Sequence, residues 1–149
     1  MSMKLNLADA VAAIILVEGQ GYLMQLRDER PDIWYPGHWG FFGGAVDPGE
    51  EPLAALRREL QEELELAPAD PELFTRFDFD LGPAGLDRYF RSYYIVRISE
   101  AELARLRLHE GAAMRVFSGD AILQEARVTP YDDFALFLHY TRARLGSAK

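Results

Sequence analysis

Along this 149-residue chain the apolar positions change period several times, and each change marks an element. Ala10 to Val17 is an unbroken apolar run, too short to cross a bilayer, and Asp9 and Glu18 on either side fit neither the start nor the cleavage region of a signal peptide. Val11 to Val17 therefore reads as a buried strand, and the turn residues Glu18-Gly-Gln-Gly21 before Tyr22 to Leu26 predict a hairpin. Arg27 to Gly37 is polar, carries Pro31 and Pro36, and has the length of a loop that serves function as well as connection; it leads into Trp39-Gly-Phe-Phe-Gly-Gly44. From Pro52 to Leu66 the period becomes helical, with Leu53, Leu56, Leu60 and Leu64 at three- and four-residue steps, Pro52 at the first helical position, and Pro68 and Pro71 beyond the end. Glu72 to Leu81 and Arg88 to Ile98 alternate apolar with polar residues around the turn Gly82-Pro-Ala-Gly85, which predicts an antiparallel pair. Short helices are expected over Glu100 to Leu108 and Gly119 to Glu125, a strand over Ala112 to Phe117, and a closing helix over Tyr131 to Leu145. Strands and helices mixed in this order predict α/β layers around a mixed sheet.

Composition narrows the picture. The chain has 16.9 kDa and 49% hydrophobic residues, enough for one packed domain over residues 1–149, and it contains no internal repeat or low-complexity linker. A net charge of -8 disfavours a nucleic-acid polymer or an anionic membrane as partner, because both need a basic field. With no cysteine, there is no thiol nucleophile or thiolate metal site, which leaves carboxylates, backbone oxygens and three histidines as possible ligands and points to a hard ion such as magnesium or manganese. A cytoplasmic location is the default expectation.

The chemistry concentrates at one helix edge. At about 100° per residue, Glu59, Glu62 and Glu63 fall within one arc beside the leucine stripe. Like charges at this spacing repel, so a purely structural helix has no use for the cluster, whereas a divalent cation reverses the sign of that cost. Immediately before the helix, Gly43, Gly44 and Gly49 with Asp47-Pro48 form a turn whose backbone carbonyls can approach a metal without side-chain hindrance.

Loop and helix together resemble the Nudix box: Gly44, five residues, Glu50, seven residues, then Arg58-Glu59-Leu60-Gln61-Glu62-Glu63 followed by Leu64-Glu65-Leu66. The family's glycine after the paired glutamates is Glu65 here, and Phe42 stands where many members have proline. A glutamate at a left-handed helix end costs about 1 kcal/mol or makes the helix run on. The resemblance implies an α/β/α sandwich, an essential magnesium ion with manganese as substitute, and a substrate in which a nucleoside diphosphate is linked to another moiety. It implies that Glu59, Glu62 and Glu63 bind metal with a carbonyl of Gly43 or Gly44, that Arg58 orients Glu59, and that Glu50 acts behind them. His109-Glu110-Gly111 before Val116-Phe117-Ser118 is similar to the segment in which many members place a further metal-centre glutamate, which assigns that role to Glu110.

A phosphoanhydride repels an attacking hydroxide until cations neutralise it, so the expected activity is magnesium-dependent hydrolysis, with a nucleoside triphosphate pyrophosphohydrolase first. A nucleotide-sugar hydrolase, a dinucleoside polyphosphate hydrolase and a non-catalytic nucleotide sensor are the alternatives. Glu59, Glu63 and Glu110 remain open as the general base, while His38, His109 and His139 read as surface or packing residues. Trp34, Tyr35 and Trp39 offer aromatic faces for a nucleobase, and Asp132 or Asp133 in Thr129-Pro-Tyr-Asp-Asp133 offers an acceptor for a purine edge. A homodimer is a further possibility that the resemblance leaves open.

Overall fold

The computed structural model describes residues 8–147, with side chains to residue 142. Its organising strand is β1 (Ala10–Val17), which uses both edges. One edge runs parallel to β6 (Tyr89–Ile98) along the whole strand, from Ala10 opposite Arg91 to Val17 opposite Ile98. The other edge is shared. Ile15 to Val17 pair antiparallel with β2 (Gly21–Leu26), and Ala10 to Ala13 pair antiparallel with β4 (Phe42–Ala45).

Around this strand a mixed seven-stranded sheet forms. β5 (Glu72–Phe79) lies antiparallel outside β6, with a bulge between Leu73 and Thr75. β2 also pairs with the two-residue β3 (Trp39–Gly40) and with β7 (Ala113–Phe117). Because side chains alternate along a strand, β1 feeds two cores. Val11, Ala13, Ile15 and Val17 pack with Ala55, Leu56, Leu60 and Leu64 of α1 (Pro52–Leu64) and with Leu103 of α2 (Glu100–Arg105). Ala12, Ile14 and Leu16 face the opposite way, toward Ile122 of α3 (Gly119–Gln124) and Ala135 and Leu136 of α4 (Pro130–Ser147). The result is the α/β/α sandwich with a mixed sheet. Among the described residues no helix is long and apolar enough to cross a membrane.

Two helices end earlier than their periodicity predicts. α1 stops at Leu64 because Glu65 takes the left-handed conformation (φ 55°, ψ 37°), and the N–H of Leu66 turns back to the Leu60 carbonyl at 3.2 Å. The glutamate thus accepts the conformation that the helix end demands and does not extend the helix. α2 begins with a capping box between Ser99 and Glu102 but ends at Arg105, short of Leu108. The next segment has better partners in tertiary structure: the N–H groups of Arg107 and His109 donate to the carbonyls of Leu64 and Glu63, at 3.1 and 2.8 Å. Those carbonyls belong to the last turn of α1, where the helix itself supplies no donor. Gly82–Ala84 forms a single 3-10 turn between β5 and β6.

The site depends on α1 being pressed against β1, and Leu60 is wholly buried in that contact. Leu60→Ala is expected to destabilise the protein by about 3 kcal/mol through lost burial and a cavity, measurable as a lower urea midpoint at unchanged slope.

Candidate functional site

The pairing of β4 with β1 fixes the first part of the site. Gly43 sits opposite Ala12 with φ 154°, and a β-carbon there would lie 2.1 Å from the Val11 carbonyl oxygen. Only a glycine lets β4 pack this closely on the central strand. One residue on, a β-carbon on Gly44 would meet the Glu59 carboxyl carbon at 2.5 Å. The missing side chain is the space in which the first carboxylate of α1 lies.

Carboxylate oxygens of Glu59, Glu63 and Glu110 come within 4.8 Å of one another. Glu59 and Glu63 stand one helical turn apart on α1, while Glu110 arrives from the segment between α2 and β7. Glu63 is buried, and the Gly43 N–H donates to its Oε2 at 3.3 Å. Burial, reinforced by the neighbouring Glu110 and Glu59 charges, pushes the Glu63 carboxyl up to about 10. Burial also raises Glu59, against the opposing pull of Arg58. Three converging hard oxygen donors, two of them disfavoured as bare anions, fit a divalent cation of the magnesium or manganese type. The carboxylate of Glu62 is outside this group: its side chain is 60% exposed and its nearest cation is Arg58, at 3.5 Å.

Arg58 joins loop to helix. Its Nε and Nη2 donate to the two oxygens of Glu50, each at 2.9 Å, and Nη1 donates to Glu59 Oε1 at 2.8 Å. Nη2 also reaches the Ala45 carbonyl at 3.0 Å. The bidentate pair, together with the Asp47 N–H, holds the Glu50 carboxyl down at about 2. Glu50 therefore faces Arg58 and not the three converging carboxylates.

Beside the glycines opens a cleft of about 380 Å³ lined by Gly43, Gly44, Arg27, Trp34, Tyr35, Arg91, Tyr131 and Asp132, among others. Its inner wall is a polar network centred on Asp132. Oδ1 accepts from the Tyr93 hydroxyl (2.9 Å) and Arg91 Nη2 (3.3 Å), and Oδ2 accepts from the Thr129 hydroxyl (2.8 Å) and the Phe41 N–H (3.0 Å). Burial works against the charge of Arg91, but Asp132 and the hydroxyls of Tyr93 and Tyr131 outweigh it and raise its pKa. The guanidinium lies 4.2 Å from the Tyr131 ring centre, and Tyr35 packs edge-on to that ring at 5.8 Å.

The other candidates lie elsewhere. Trp39 is outside the cleft: it packs edge-on against Phe117 at 4.9 Å and carries Arg115 over its ring. Asp133 does not line the cleft; one carboxylate oxygen is buried without a hydrogen-bond partner, and burial raises its pKa. Phe42 is wholly buried against the α1 side of the sheet. His139 packs between Tyr22 and Phe74, and His38 bonds the Pro36 carbonyl. Sequence reasoning missed Arg91, Arg27 and Tyr131. A basic residue near the start of the otherwise aromatic run Tyr89-Phe-Arg-Ser-Tyr-Tyr94 was the available signal for Arg91.

Comparison with known proteins gives a match to the NUDIX domain model over residues 6–143. The chain is 39% identical over 95 residues to an 8-oxo-dGTP diphosphatase of Haemophilus influenzae, covering 63% of this chain and 65% of that protein. It is 43% identical over 54 residues to the nucleoside triphosphatase NudI of Escherichia coli, covering 36% of this chain and 37% of that one. The chain thus aligns to less than two thirds of either relative's length. Among solved structures it is similar to the E. coli ORF135 protein, with TM-score 0.70, 27% identity and 94% of each chain covered.

Two outcomes test this geometry. Gly44→Ala is expected to keep the fold but displace Glu59, lowering manganese affinity by about tenfold or more in calorimetric titration. For pH the sign follows from Glu63: its folded value of about 10 lies above the ordinary 4.5, so its contribution to metal-free stability is full below about 4.5 and is lost as pH rises toward 10. Metal-free Glu63→Gln, which cannot ionise, should therefore lose less melting temperature than wild type between about pH 6 and pH 9.

Proposed function

The chain belongs to the Nudix family, and on that premise we propose that it is a divalent-cation-dependent pyrophosphohydrolase of nucleoside triphosphates, releasing a nucleoside monophosphate and pyrophosphate. The observation that carries this reading is the junction at Gly43 and Gly44, which line the cleft on one side and adjoin the carboxylates of Glu59 and Glu63 on the other. A nucleotide laid across that junction would put its phosphates at the carboxylates and its base among Tyr35, Tyr131 and Arg91. The names of the Haemophilus and Escherichia relatives, a diphosphatase of 8-oxo-dGTP and a nucleoside triphosphatase, support the choice of a triphosphate.

Each residue then has a task. Glu59, Glu63 and Glu110 would hold magnesium, or manganese in its place, and the cation would supply the positive charge that a phosphoanhydride needs before an oxygen nucleophile can approach it. Arg58 fixes the Glu59 carboxylate and is itself fixed by Glu50, so that the first ligand is oriented before any substrate arrives. Glu62, 60% exposed and 3.5 Å from Arg58, stands apart from the three converging carboxylates. Asp132 has both oxygens engaged by four donors, so in this reading it orients Arg91 and does not itself read the base. Arg91 spends Nε on Tyr93 and Nη2 on Asp132, leaving Nη1 without a hydrogen-bond partner among the described residues and available to an acceptor on the base.

Hydrolysis of a panel of nucleoside triphosphates, nucleotide sugars and dinucleoside polyphosphates tests the proposal. Triphosphates should turn over best, with turnover abolished by chelator and reduced at least about 100-fold in Glu63→Gln and in Glu110→Gln. Turnover that survives chelation or either substitution would refute it. Arg91→Gln should lower kcat/KM by about tenfold, about 1.4 kcal/mol, mainly through KM.

A further inference from the structure

Glu65 stands where the box has a glycine, and its backbone keeps the left-handed conformation that a glycine would adopt without strain. The side chain uses that position: its Oε2 lies 2.7 Å from Nε2 of His109, the residue immediately before Glu110. A glycine cannot make this contact. Strain retained where a strain-free residue would serve points to a use for the side chain.

Glu110 is the carboxylate of the triad that most needs such help. It is exposed and comes from a connecting segment, whereas Glu59 and Glu63 stand on a packed helix. The segment is held on both sides of it. Before Glu110, the His109 N–H donates to the Glu63 carbonyl at 2.8 Å and the His109 ring meets Glu65. At and after it, the side-chain amide of buried Gln25 donates to the Glu110 carbonyl at 3.0 Å, and the Ala112 N–H donates to the Leu26 carbonyl at 2.8 Å. Between them Gly111 has φ 90°, and a β-carbon there would lie 2.8 Å from Gln25 Cγ. The β2 side of this clamp is built from the sheet, and the α1 side is closed by the Glu65–His109 pair.

We infer that Glu65, acting through His109, is a positioning residue that holds Glu110 against Glu59 and Glu63 for cation binding. The inference rests on the reading of those three carboxylates as a cation site. Both partners are about half exposed, 51% and 53%, so the pair contributes little to overall stability and its effect appears at the site.

Manganese affinity by calorimetry and the melting temperature of the metal-free protein, measured on wild type, Glu65→Gly, Glu65→Gln, His109→Ala and the Glu65→Gly/His109→Ala double variant, separate these effects. Glu65→Gly should bind manganese about tenfold more weakly while melting at the same or a higher temperature, because the left-handed strain is relieved. Glu65→Gln, which still offers an oxygen to His109, should recover most of the affinity. His109→Ala should match Glu65→Gly, with no further loss in the double variant. Wild-type affinity in Glu65→Gly would overturn the inference, and so would a fall in affinity that tracks a fall in melting temperature, since that would mean a frayed helix end. A wild-type protein that binds no manganese would overturn the cation-site reading and this inference together.

Discussion

Carboxylates gathered within 4.8 Å repel one another, and more strongly the less water surrounds them, so the site needs something other than its own chemistry to hold it together before a cation binds. Arg58 does much of this. One planar guanidinium takes both oxygens of Glu50, one oxygen of Glu59 and the Ala45 carbonyl, and thereby ties β4, the glycine-bearing turn and α1 into one unit. A lysine has the charge but not the fork needed for that set of bonds. The geometry of Glu59, the shape of the turn and the closeness of β4 to the helix all follow from this pairing.

The sheet supplies the other half of the constraint. β1 gives one edge to β6 and divides the other between β2 and β4, so the turn that follows β4 is anchored to the central strand. The two glycines permit close approach on opposite sides: Gly43 toward β1 and Gly44 toward Glu59. On the β1 side the approach is backbone to backbone, and on the α1 side it leaves room for the Glu59 carboxylate against the chain.

The cleft follows a different electrostatic rule. At the triad, burial raises the Glu63 and Glu59 carboxyls, so their charged forms carry a cost that a cation would offset. At the far wall Arg91 and Asp132 form an ion pair, with Tyr93, Thr129 and the Phe41 N–H completing the hydrogen bonds of Asp132. Tyr35 and Tyr131 line the cleft beside this wall, while Gly43 and Gly44 line it on the side of the Glu59 and Glu63 carboxylates.

The sequence by itself determined the layers, the identity of the box and the carboxylate-bearing helix, because those signals are local: a period of two or of about 3.6, a proline at a helix start, and glycines and charges at fixed offsets. It also singled out Glu110, through likeness of its flanking residues. Tertiary structure alone decided which carboxylates converge, drawing Glu59, Glu63 and Glu110 together and leaving Glu62 exposed, although Glu62 and Glu63 are neighbours in the chain. It also removed Trp39 and Asp133 from the cleft, brought in Arg91 and Tyr131 from β6 and α4, and spent the oxygens of Asp132 on protein donors. The physical reason is that a side chain's role depends on which groups face it across space. Helical periodicity gives only an arc, whereas docking against β4, β6 and the segment before β7 decides which part of that arc is buried and what it meets.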